Sequence, residues 1–172
     1  MKFVSNMRCT WAMLAGMVVL GGCHHQEDPG VADPPVSQAI KPPAGNAGAG
    51  TWRAFAARVV HDEVKDDTLH PFTFAVPAGD DADAKEARRS IVMAVRTTLG
   101  NTAIPGNLLA FTGPDSRAVA AVIEESFRDL PTSVTKGVTV LYIGTSDMSS
   151  RVDKVMRDAG ARLRVRAMAT PE

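Results

Sequence analysis

The chain has 172 residues, 45% of them hydrophobic, and its basic and acidic side chains balance at 19 each. That length suits one domain with one core. The balance argues against a nucleic-acid binder, which would carry a basic excess, and leaves no net field to steer a charged substrate.

The first 23 residues have the order of an export signal. Lys2 and Arg8 make a basic start, Trp11 to Leu20 is an apolar run, and Leu20-Gly21-Gly22-Cys23 follows. A signal peptide needs this succession. The apolar run is roughly half of what a bilayer span requires. Leu20-Gly21-Gly22-Cys23 resembles the lipobox of bacterial lipoproteins. The resemblance implies cleavage before Cys23, loss of residues 1–22, a diacylglycerol on the Cys23 thiol and an acyl chain such as palmitate on the new amino group. In that class an aspartate after the cysteine often retains the protein at the inner membrane. His24 stands there instead, which implies an outer-membrane lipoprotein whose folded part faces the periplasm. Two or more acyl chains anchor stably where one would be marginal. Cys9 leaves with the signal, so the domain has no cysteine for a disulfide, a nucleophile or a thiolate metal site.

Residues 24–50 are rich in proline, glycine and alanine and lack apolar periodicity. They read as a disordered tether, able to stretch to about 90 Å and averaging about 30 Å as a coil. A single domain is expected over residues 51–172, with 16 Lys+Arg against 16 Asp+Glu.

From Thr51, a potential helix cap, Trp52, Phe55, Ala56, Val59, Val60 and Val64 recur at a helical period. Phe72–Val76 reads as a strand. A second helix spans residues 82–99, with Ile91, Val92, Val95 and Leu99 inward. Leu108–Thr112 is a strand. Gly113-Pro114 opens a third helix to Leu130, with Val119, Val122, Ile123 and Phe127 as its buried stripe. Val138–Ile143 is nearly all apolar, as a strand covered on both faces should be. Ser149–Ala159 is a fourth helix closed by Gly160, and Arg162–Ala167 the last strand. This alternation predicts an α/β fold: a three-layer α/β/α domain on a mainly parallel four-stranded sheet.

In open α/β sheets ligands bind beyond the carboxyl ends of the strands. Three loops are expected there, carrying Asp80 and Asp81, Asp115 and Ser116, and Ser146 and Asp147. Carboxylates from separate strand ends suit a hard cation, and free helix amides suit an anion. The same residues are ordinary helix caps. No loop matches G-x-G-x-x-G or a P-loop, so no cofactor is expected. His61 and His70 fall toward the amino ends of the strands, out of reach of Ser116 or Ser146, and no G-x-S-x-G elbow is present. No catalytic residue and no metal ligand is assigned. The acid-rich stretch from His61 to His70 fits no metal-ligand spacing, yet acids at a helix carboxyl end oppose its dipole.

In the last strand Arg162, Arg164 and Arg166 alternate with Leu163, Val165 and Ala167, so the arginines share one face. Charged edge strands are ordinary, but such a row also suits an acidic protein, lipid phosphates or anionic cell-wall polymers. The reading is a lipid-anchored binding protein with a protein partner in the periplasm. Two roles fit: an immunity lipoprotein that neutralises a toxin, or an accessory component of an envelope or secretion machine. The alternative is a metal-assisted envelope hydrolase using Asp80, Asp115 and Asp147, or a small-ligand-binding domain at the same three loops.

Overall fold

The structure is a computed structural model that describes residues 39–64, 69–101 and 106–169. The expected export signal, Cys23 and the expected tether as far as residue 38 lie outside the described residues. The elements are α1 (Ala49–Glu63), β1 (His70–Ala75), α2 (Ala82–Asn101), β2 (Asn107–Thr112), α3 (Ser116–Phe127), α4 (Thr132–Thr135), β3 (Thr139–Gly144), a 3₁₀ turn (Ser146–Met148), α5 (Ser149–Ala159) and β4 (Arg162–Ala167).

The four strands form one parallel sheet in the order β1-β2-β3-β4. Each strand is laid beside its predecessor and the order never reverses. Crossovers of one hand must then collect their helices on one face. Accordingly α2, α3 and α5 supply Val95, Leu99, Val119, Ile123, Val152 and Met156 to a core against Leu109 and Phe111 of β2 and Val140 and Tyr142 of β3. The opposite face has no crossover to cover it. It is covered by α1, whose Trp52, Phe55, Ala56, Val59 and Val60 pack on Leu108, Ala110, Leu141 and Ile143. The domain is thus three-layered, with one helix on one face and three on the other. Strands β2 and β3 are buried along their whole length, which is why they read as apolar runs.

Several element ends shift by one or two residues from expectation, and the domain start and the end of α3 differ further. The domain does not begin at Thr51. Ile40 forms a parallel bridge with Met168, outside β4, and Ile40 and Ala47 pack against the α1 core. Helix α1 begins at Ala49 with Gly48 as its cap, so Thr51 lies inside its first turn. The residues just before Thr51 are apolar enough to pack, although their proline and glycine content reads as tether. Helix α3 stops at Phe127 rather than Leu130. Arg128 leaves the helical region at ψ 130°, Asp129 then takes the left-handed φ of 58°, and the short α4 follows Pro131.

Two loop glycines are required by close approach rather than by conformation. A Cβ on Gly113 would strike the Val76 carbonyl, and one on Gly144 would strike the Tyr142 ring and hydroxyl. Both sit at strand ends, where the sheet hands over to the candidate loops.

Candidate functional site

The loop after β1 is closed by its own helix. The Asp81 carboxylate accepts from the Ala84 amide at 2.8 Å, as an N-cap does. That hydrogen bond holds the Asp81 carboxyl below its usual range. Arg88, one turn further along α2, donates to the Pro77 and Gly79 carbonyls at 3.0 and 2.7 Å. Its guanidinium also stands 3.7 Å from the exposed Asp80.

The loops after β2 and β3 meet. Asp115 caps α3, accepting from the Arg117 amide at 2.8 Å. The buried Ser116 hydroxyl accepts from the Thr145 amide at 2.9 Å, joining one loop to the other. The Tyr142 hydroxyl donates to the Thr145 carbonyl at 3.2 Å. Burial pushes the Tyr142 phenol up from its ordinary value of 10.0. Ser149 donates to the Ser146 carbonyl at 2.7 Å, which steadies the 3₁₀ turn, and Ser146 and Asp147 are exposed on it. Between the two loops lies an open cleft of about 440 Å³, bordered by Asp115, Ser116, Arg117, Ser146 and Asp147.

The three loops are therefore not one site. Asp80 and Asp81 do not border the cleft. Among the described residues no three His, Cys, Asp or Glu side chains form a group that could hold a metal ion. Asp80, Asp115 and Asp147 are thus not brought together as the metal-assisted hydrolase would require. The sheet order gives the physical reason. Ligand crevices in open α/β sheets form where the strand order reverses and neighbouring loops splay apart. Here there is no reversal, and the loops use their polar groups to close on themselves. His70 opens β1 and His61 lies in the last turn of α1, so neither belongs to the loops at the carboxyl ends.

The arginine row is divided. β4 is an edge strand. Arg162 and Arg164 are exposed. Arg166 instead reaches Glu63 at the end of α1, at 3.1 Å, with its side chain only 19% exposed. The acids at the end of α1 thus find part of their basic counterpart within the same molecule. The sequence reading missed both this pair and the seat of Ile40 on β4. The only local cue to the latter is one large aliphatic residue just ahead of Lys41-Pro42-Pro43.

An open groove of about 630 Å³ runs between α2 and α3 past Lys85, Arg89, Met93 and Arg96. Its chief cation serves the fold. Arg96 donates to the carbonyls of Glu125 and Arg128 at 2.8 and 3.0 Å, tying α2 to the end of α3.

No described helix is long and apolar enough to cross a membrane. In comparisons with known proteins, no family model, no curated protein and no solved structure matches this chain.

Proposed function

We propose that this protein is a lipid-anchored binding protein of the bacterial envelope, held at the outer membrane through Cys23, with its domain facing the periplasm and docking on another protein. The observation that carries the reading is the edge of β4. Arg162 and Arg164 stand exposed there, with no side-chain partner among the described residues, while Arg166 beside them is consumed by Glu63. Two unpaired arginines on an edge strand suit a carboxylate-bearing surface. By contrast, the carboxylates of Asp81 and Asp115 are spent on capping. The role is either neutralisation of a toxin or assembly of an envelope or secretion machine, since both need only a complementary surface.

The test is affinity capture of the full chain from envelope extracts of its own bacterium, read by mass spectrometry. The wild type should hold one protein in about equal amount. The double variant Arg162→Gln, Arg164→Gln should hold roughly tenfold less, the loss expected for interfacial charge pairs, with an unchanged unfolding transition. The identity of the captured protein then chooses between the two roles. Equal capture by both chains would remove this edge as the binding surface.

A further inference from the structure

Among the described residues, the outer edge of β4 is only partly occupied. Arg162 donates its amide to Val138 at 2.9 Å and Met168 donates to Gly144 at 2.8 Å. The even-numbered residues thus turn their backbone groups toward β3, and the odd-numbered ones turn theirs outward. At the carboxyl end the outward side is taken. Ile40 donates to the Ala167 carbonyl and accepts from the Ala169 amide, both at 3.0 Å. This edge therefore already accepts an extended backbone. Nearer its amino end, Leu163 and Val165 face outward with no strand beside them among the described residues.

Two side-chain strips flank that open stretch. On the α1 face stand Arg162 and Arg164, about 7 Å apart, the repeat of alternate residues on a strand. On the other face Leu163 and Val165 floor an open groove of about 320 Å³ against Ser149, Ser150 and Asp153 of α5. Val165 is 42% exposed, and Asp153 is ion-paired with Arg157. An unpaired edge beside a helix–strand groove is the geometry by which extended segments are bound: backbone hydrogen bonds supply affinity and alternate side chains supply selectivity.

We infer that this edge takes an extended segment of the partner protein as an added strand, with acidic and apolar side chains in alternation. The acidic residues lie against Arg162 and Arg164, and the apolar ones lie beside Leu163 and Val165 in the groove under α5. The inference rests on the protein-binding reading above and adds the docking mode and the chemistry of the bound segment. The charge pattern on one face and the apolar floor on the other admit this alternation and disfavour a basic segment, which would meet like charge.

The test uses the purified full chain and a short capped peptide of alternating Glu and Val, with the Lys–Val peptide as its counterpart. Amide hydrogen exchange is followed at Leu163 and Val165. The Glu–Val peptide should slow exchange at both amides. Its binding should weaken about tenfold in the double variant Arg162→Glu, Arg164→Glu, as reversed charge pairs require. That variant should in turn gain the Lys–Val peptide, which shows that it is folded. A Glu–Val peptide at saturation that leaves both amides unprotected overturns the inference, as does protection indifferent to the charge reversal. Amides already protected in the free chain, and released on deleting residues 24–38, would make the occupant this chain's own segment and overturn it too. Loss of partner capture in the glutamine variant without amide protection would sink strand addition alone. Unchanged capture would sink the protein-binding reading with it.

Discussion

Tyr142 shows how a single side chain shapes the end of the sheet. Its ring occupies the space that a Cβ on Gly144 would need, and its hydroxyl ties down Thr145. Burial disfavours the charged phenolate, so the native phenol ionises above its ordinary value of 10.0. A group whose folded pKa is raised keeps its full contribution to stability below the unfolded value and loses it as pH rises through the folded one. Stability should therefore decline above about pH 10. The chain has one tyrosine, so tyrosinate absorbance reports this residue alone. Its midpoint should lie above 10 in the native protein and return to about 10 in denaturant. A native midpoint at the ordinary value would contradict the buried placement.

The pairing of α1 with β4 matters because α1 supplies most of the cover on its face of the sheet. Glu63 lies in the last turn of the helix, where a negative charge opposes the dipole by a few tenths of a kcal/mol, and Arg166 offsets this from the sheet. The pair is neither fully buried nor freely solvated, so a coupling of about 1 kcal/mol is expected. A double-mutant cycle with Glu63→Gln and Arg166→Gln, read by denaturant unfolding, measures it. Additive effects would mean that the pair contributes nothing to holding α1. Arg162→Gln or Arg164→Gln should shift stability by less than about 0.5 kcal/mol, as surface changes usually do. That contrast separates the arginines proposed to bind from the structural one.

The whole molecule is organised by two facts: a sheet whose order never reverses, and a chain that enters across the edge of its last strand. The first removes the strand-order reversal at which ligand crevices of open α/β sheets usually form. The second draws residues ahead of Thr51 into the domain. In the proposed arrangement Cys23 carries the lipid. Replacing Cys23 with Ser should leave the domain folded and release it to the soluble fraction. Persistent pelleting with membranes after an alkaline carbonate wash would refute the lipid anchor.

Much of this architecture is legible in the residues because its causes are local. The 3.6-residue stripe of α3, the apolar runs of β2 and β3 and the alternation in β4 each record which side of one element is buried. Gly160, in the left-handed conformation at the end of α5, and the acids at the loop turns are likewise punctuation read one turn at a time. The same locality made the carboxylates of Asp81 and Asp115 ambiguous between cap and ligand, since either use asks for the same residue at the same place. Only the folded chain shows which groups are spent. Ile40 meets Met168, and Glu63 meets Arg166, each across more than a hundred residues of sequence. No periodicity encodes such pairs. They arise once the strand order has set which helix lies over which edge, and that order follows from how the elements bury one another, not from any one of them.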